Sequence, residues 1–429
     1  MDNKLSRRRF VAGAGAAALL AGSGLAGCAS GTSSGRASIG RVVVVGGGFG
    51  GATAAKYLRL WGGDIDVTLV ERQASFVSCP ISNLVLGGHR RMDDITLGYG
   101  GLERHGVKRV QGEAVAIDAT ARRVRLADGR RLPYDRLVLS PGIDFLFEQV
   151  GLGSPAAQDR VLHAWKAGPQ TLALRRQLED MRDGGVFALT IPRAPYRCPP
   201  GPYERACMVA SYLKAHKPRS KVLVLDANAE IQSKKGLFTR VFEQHYAGMI
   251  EYVPNSELRA VDAATRTAML DFENVRADVL NVVPPQTAAA LAHAAGVVDV
   301  NRRWVDVDWL TMESKAVPGI HVLGDAVAPA PTMPKSGHMA NQHAKLAAAA
   351  IVRLLKGEAP NPQPVLMNTC YSFVTAQEAI HVASVHQYDA AKATVLPVPG
   401  AGGVSAASSA LEGVYAQAWA DNVWADMLA

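Results

Sequence analysis

The chain has 429 residues, 48% of them hydrophobic, enough to bury more than one core and fill two or three domains. Its 46 Lys and Arg against 38 Asp and Glu leave a formal charge of +8, spread along the chain. That diffuse charge suits an anionic substrate or an acidic partner protein and excludes nucleic-acid binding, which needs a concentrated basic face.

Ser6-Arg7-Arg8-Arg9-Phe10-Val11 stands before a Gly/Ala-rich apolar stretch running to Gly27. Paired arginines ahead of such a run have the form of a twin-arginine export signal, so residues 1–37 are read as signal and linker, and the protein is expected in the periplasm. Leu25-Ala26-Gly27-Cys28 also has the form of a lipoprotein processing site. Cys28 is then either a lipid anchor or the neighbour of an ordinary cleavage point. No later stretch reaches eighteen uninterrupted apolar residues, so no transmembrane helix is predicted. Cys79, Cys198, Cys207 and Cys370 remain, in spacings that match no zinc pattern, and no metal site is predicted. Export would place them where disulfides persist.

The first nucleotide unit is predicted over residues 38–150. Arg41-Val42-Val43-Val44-Val45 reads as a buried parallel strand turning through Gly46-Gly47-Gly48-Phe49-Gly50-Gly51 into a helix. Gly46 permits the tight turn, Gly48 lets backbone approach a pyrophosphate, and Gly51 lets helix and strand pack closely. Asp66 to Glu71 reads as the next strand, with Glu71 suited to a ribose hydroxyl. Cys79 follows eight residues later, close to a cofactor bound there or simply a small buried residue. Val124 to Leu132 alternates around Asp128-Gly129 and predicts a hairpin; Tyr134 to Gly142 predicts a strand and a Pro-Gly turn.

A second α/β unit is predicted over 151–290. Its first strand, Val186 to Ile191, runs into Pro192-Arg193-Ala194-Pro195-Tyr196-Arg197-Cys198-Pro199-Pro200-Gly201-Pro202. Prolines offer no N–H to a pyrophosphate, so this unit reads as a nucleotide fold without its nucleotide. A helix from Tyr203 to Lys214 and a strand from Lys221 to Asp226 continue it. Residues 291–358 return to the first unit. There a short strand ends in Gly324-Asp325, and in two-domain flavoproteins that aspartate reaches the ribityl chain or phosphate of FAD. A helix from Met339 to Lys356, capped by Ser336, would point its N-terminal dipole at a flavin. His338 and His343 beside it read as packing or hydrogen-bonding residues. Residues 359–429 are expected to form strands against the flavin and an interface. The fold class is thus α/β, with two Rossmann-like domains and a C-terminal α+β domain.

Three segments carry a resemblance: Ser78-Cys79-Pro80-Ile81-Ser82-Asn83, Tyr196 to Ala206, and Asn368-Thr369-Cys370-Tyr371-Ser372, with Tyr415-Ala416-Gln417-Ala418-Trp419 near the end. From about Gly40 onward the chain resembles the flavoprotein subunit of flavocytochrome c sulfide dehydrogenase. The resemblance implies a glutathione-reductase-like fold, FAD joined by a thioether to Cys79, a redox disulfide between Cys198 and Cys370, and electron delivery to a c-type cytochrome subunit. Haem would sit on that partner, because no Cys-x-x-Cys-His occurs in this chain. Sulfide would attack the disulfide as a compact nucleophile. A bridge closing so long a loop would also stabilise the fold by roughly 5 kcal/mol, so a purely structural staple is one alternative, and two unpaired thiols are the other. Glu204 is either a proton shuttle or a first-turn glutamate favoured by the helix dipole. Cys207 reads as a buried small residue, and Trp419 and Trp424 as core or interface packing. Two rival functions stand: a sulfide:quinone oxidoreductase-like enzyme, and a non-catalytic flavoprotein partner of a sulfur-oxidising complex.

Overall fold

A computed structural model describes residues 38–429, so Arg7, Arg8 and Cys28 lie outside the described residues. Ser38–Ala429 cluster as one unit. The valine run forms the strand Gly40–Val45 at the centre of a five-stranded sheet, in the order Ile320–Val322, Arg136–Leu139, Gly40–Val45, Ile65–Glu71, Lys108–Gln111. Every pairing in it is parallel. A central parallel strand is covered on both faces, which is why its residues are apolar without alternation and Val42 to Val45 are at most 6% exposed. The helices Phe49–Gly62 and Gly337–Leu355 pack against each other. Their alanines, Ala52, Ala54 and Ala55 against Ala344, Ala347 and Ala348, are all fully buried and allow that close approach.

The second sheet is also parallel, in the order Ile250–Val253, Lys221–Asp226, Val186–Ile191, Val279–Val282. Two of these strands have the limits the apolar runs predict. The helix after the proline loop runs Gly201–His216, two residues longer at each end than predicted. Pro202 is tolerated in its first turn, where its missing N–H would have no partner. The strand Ile143–Phe145 pairs antiparallel with Gln286–Ala288 and so ties the two parallel-sheet regions together. The hairpin around Asp128-Gly129 forms from Arg123–Leu126 and Arg131–Pro133, with Gly129 at φ +88.

The expected C-terminal strands are long: Val365–Phe373 pairs antiparallel with Ala379–Asp389, which also pairs with Thr394–Pro397 and Gly403–Val404. The helix Ala410–Leu428 follows and docks on the first sheet region. Lys56 Nζ donates to Ala425 O at 3.0 Å, and Tyr57 donates to Asp426 Oδ1 at 2.5 Å. Asn341 and Lys345 hold the other oxygen of Asp426 at 2.7 and 3.0 Å. No helix among the described residues is long and apolar enough to cross a membrane.

Candidate functional site

The glycine loop has the geometry of a pyrophosphate cradle. Gly46 sits at φ +98, and a Cβ there would lie 2.3 Å from Ser140 O. A Cβ on Gly51 would lie 1.7 Å from Gly46 O, so only glycine lets the helix start this close to the strand. A Cβ on Gly48 would meet nothing within 4 Å, which leaves open space at the helix N-terminus for a phosphate. Glu71 is fixed at the strand end: its Oε2 accepts from Gly47 N at 2.6 Å and its Oε1 from Gln73 N at 2.8 Å. Across the sheet, Gly324 turns at φ +70, and the half-buried Asp325 has a buried Oδ1 with no hydrogen-bond partner. Burial raises its carboxyl pKa, against the pull of Arg197 and Lys335. An orphaned buried acceptor beside an open glycine cradle fits the polar chain of FAD, which Gly46, Gly48, Gly51, Glu71 and Asp325 would hold.

Ser336 caps the helix Gly337–Leu355, accepting from Met339 N at 3.0 Å, and its hydroxyl donates to Asn368 at 2.6 Å. That bond brings the strand Val365–Phe373 to the helix N-terminus. Cys370 follows there, its Sγ 3.4 Å from Asn368 Nδ2. On the other side, Cys198 stands at φ +59 in the proline loop, and its N–H donates to Lys335 O at 2.8 Å. Its Sγ lies over the next helix: a Cβ on Gly201 would be 2.8 Å from it. Burial raises both thiol pKa values, and Cys370 raises that of Cys198 further. All four described cysteines are free thiols, so the bridge that the resemblance implies is not formed in this structure.

Glu204, six residues beyond Cys198, lies in the first turn of the helix Gly201–His216 and is 9% exposed. It accepts from Phe373 N and Asn83 Nδ2, both at 2.8 Å. Burial raises its pKa, and those two bonds oppose the rise. Arg205, also buried, binds the other end of Asn83 at 3.1 Å and Asn281 at 2.9 Å, and stacks on Trp165. The buried Lys234 donates to Cys370 O at 3.1 Å and Ser372 Oγ at 2.8 Å. Burial pulls its ammonium down to about 8, while Cys370, Glu204 and Cys198 act in the opposite direction. One pocket of charge therefore holds Cys198, Cys370, Glu204 and Lys234.

Cys79 is half-buried, near the same proline loop. Its sulfur is 3.9 Å from Trp165 O and accepts from Ala167 N at 3.5 Å, and Trp165 Nε1 donates to Arg197 O at 3.2 Å. Ser78 beside it accepts from Trp424 Nε1 at 3.1 Å, so Trp424 is a tether for this segment as well as packing. Trp419 lies edge-on to His338 with ring centres 6.0 Å apart. His338 Nδ1 accepts from Thr369 N at 2.9 Å, and His343 Nδ1 from Gly324 N at 3.3 Å, so both histidines orient backbone. Cys207 is fully buried. Among the described residues, no group of three or more His, Cys, Asp or Glu is placed to hold a metal ion.

Lys234, Asn83 and Arg205 carry no expected role from the sequence. Lys234 occupies the N-cap position of the helix Lys235–Gln244 without a side-chain cap bond, where a cation opposes the dipole.

Residues 171–284 match the family described as the sulfide dehydrogenase [flavocytochrome c] flavoprotein chain, central, and residues 362–428 match the flavocytochrome c sulphide dehydrogenase flavin-binding family. The flavoprotein chain of Chlorobaculum thiosulfatiphilum sulfide dehydrogenase [flavocytochrome c] is 67% identical over 45 residues, which are 94% of that chain and 10% of this one. The chain belongs to this family. Residues 40–179 match pyridine nucleotide-disulphide oxidoreductase. The mitochondrial sulfide:quinone oxidoreductase of Mus musculus is 23% identical over 308 residues, 66% of this chain and 65% of that one; the match to its Dictyostelium discoideum counterpart also spans 65% of that protein. In three dimensions, the sulfide:quinone oxidoreductase of Aquifex aeolicus superposes with a TM-score of 0.74 at 20% identity, covering 90% of this chain and 91% of that one. The fold is thus the Rossmann-like pyridine nucleotide-disulfide oxidoreductase fold.

Proposed function

We propose that this protein is a periplasmic flavoprotein that oxidises sulfide to sulfur or polysulfide and passes the electrons to a c-type cytochrome subunit. One observation carries the reading: Cys198 and Cys370 converge with Lys234 and Glu204 beside the flavin cradle. The link is short, since Cys198 N–H donates to Lys335 O and Lys335 Nζ donates to Asp325 O at 2.8 Å.

In the oxidised enzyme Cys198 and Cys370 form a disulfide. HS⁻ attacks one sulfur and the S–S bond breaks, leaving a persulfide on that cysteine and a thiolate on the other. The buried Lys234 ammonium stabilises the new negative charge. Glu204, with its raised pKa, exchanges protons with HS⁻ and the persulfide. FAD held in the cradle, joined to Cys79, would take up the electron pair and release it singly to haem on the partner. The proline loop leaves the second sheet without the N–H groups a nicotinamide dinucleotide needs, and no such cofactor enters the scheme.

Anaerobic turnover with sulfide tests the acceptor. Oxidised c-type cytochrome is expected to be reduced, and a soluble quinone is not. Leu411, Val414 and Tyr415 are 50–63% exposed on the helix Ala410–Leu428, an apolar set that favours a docked partner and keeps the quinone enzyme as second reading. Reduction of quinone alone would establish that rival; reduction of neither would leave a non-catalytic flavoprotein.

Lys234 gives the reaction a pH signature. Its charge is lost as pH rises through about 8, so sulfide-driven flavin reduction should fall there. Lys234→Arg should move the falling limb upward, and Lys234→Met should lower the rate about 100-fold. Stability should run the other way. The folded pKa lies below the unfolded value of 10.5, so the unfolded chain binds more protons between about 8 and 10.5, and stability rises over that window. Stopped-flow profiles unchanged in both variants would remove Lys234 from the mechanism.

A further inference from the structure

The second parallel sheet, whose proline loop lacks the N–H groups of a nucleotide cradle, ends in a cavity of about 170 Å³. Thr190, Arg193, Ala227, Glu257, Val283 and Arg303 are among its walls. Thr190 and Arg193 flank the end of the strand Val186–Ile191, Ala227 follows Lys221–Asp226, and Val283 follows Val279–Val282. The cavity therefore occupies the crevice at the carboxyl ends of the strands, where open α/β sheets bind ligands. It is smaller than the roughly 300–1,000 Å³ of sites for larger organic ligands. At about 30 Å³ per water it has room for a four-oxygen ion with a few waters.

Its walls hold hydrogen-bonding groups with nothing to bind. Thr190 is 2% exposed, and its Oγ1 has no partner. Arg303 Nη2 is buried and has none either, although its Nε donates to Gln286 O at 2.8 Å. Both groups can donate, and an unpaired buried donor calls for an acceptor. The acid in the wall is already neutralised: Glu257 lies 2.6 Å from Arg193 and 3.2 Å from Arg259. The local balance is positive, and Arg303, whose guanidinium lies over the Trp304 ring at 5.2 Å, keeps a buried Nη2 with no hydrogen bond.

We propose that this crevice binds a small tetrahedral oxyanion of the sulfate class, held by Arg303 Nη2 and Thr190 Oγ1, in a site separate from the paired cysteines. The site touches the sulfur chemistry through one residue. Gln286, whose carbonyl Arg303 holds, accepts through its side chain from Arg197 N at 2.8 Å, immediately before Cys198. An ion on Arg303 thus adds to the fixing of the loop that carries Cys198.

The test is isothermal titration of the flavin-loaded protein, so that the pyrophosphate cradle is filled, at constant ionic strength. Sulfate, thiosulfate and phosphate are the three arms, with NADH as a fourth. One saturable site is expected for at least one oxyanion, and the order of the three arms identifies the source. Arg303→Met should weaken it at least about tenfold, because a charge-assisted bond is lost. Thr190→Val, nearly the same shape, should weaken it several-fold and covers the case in which the arginine variant fails to fold. Absence of saturable heat with all three oxyanions overturns the proposal. So does equal affinity in both variants, or NADH binding that the oxyanions displace.

Discussion

Cys198→Ser and Cys370→Ser are each expected to abolish reduction of the flavin by sulfide while leaving the flavin bound. The loss should be about 10³-fold or more, and the double variant should be no worse than either single one, because two sulfurs that exchange one bond act as a unit. Neither side chain is needed for the cradle, whose contacts come from Gly46 to Gly51, Glu71 and Asp325. A staple would behave differently. Removing a bridge across so long a loop would cost stability, roughly 5 kcal/mol, and leave the rate per folded molecule unchanged. Stopped-flow mixing with sulfide, at a temperature where both variants are folded, separates the two. A near-wild-type rate in either variant would end the redox assignment. The free thiols of the structure add a spectroscopic check: thiol titration should rise by two per chain when sulfide-free enzyme is reduced.

Cys79→Ala is expected to convert a flavin that survives acid denaturation into one that does not. Among the described residues the Cys79 sulfur has only long hydrogen-bond contacts, to Trp165 O and Ala167 N, so no strong hydrogen bond holds it back from an electrophilic carbon. After precipitation of the wild type, the yellow colour should stay with the polypeptide. In Cys79→Ala it should pass wholly into the supernatant, and the folded variant should bind FAD reversibly. Colour that leaves the wild-type protein would eliminate the thioether, whatever the enzyme's activity.

Much of this architecture is legible in the chain because local and global demands coincide. The runs Val186 to Ile191 and Lys221 to Asp226 are apolar along their length, and both become interior strands with the expected limits. Ser336 is a cap residue by chemistry, and it caps. The glycine loop works the same way, since its three constraints lie within six residues. Lys234 shows where such reading stops. Ser233-Lys234-Lys235-Gly236 looks like an exposed turn, and its burial depends on a strand more than a hundred residues later. Asn83 is similar. It lies in a segment that stands out in the sequence, yet its task, joining Glu204 to Arg205, exists only once two distant helices meet. Hydrophobic periodicity reports which face is inside; it carries no information on which polar groups meet there.

The bonds from Lys56 and Tyr57 to Ala425 and Asp426 span 369 residues. They fix the order in which the molecule can be made. The glycine loop emerges from the ribosome early, but the wall that Asp426 and Trp424 build around Lys56, Asn341 and Ser78 cannot close until nearly all of the described chain has been synthesised. Contacts this far apart in sequence form late and slowly. The nascent first sheet therefore lacks these contacts while the second sheet folds. A chain stopped before Ala410 would lack the bonds to Lys56 and Tyr57 and the tether from Trp424 to Ser78.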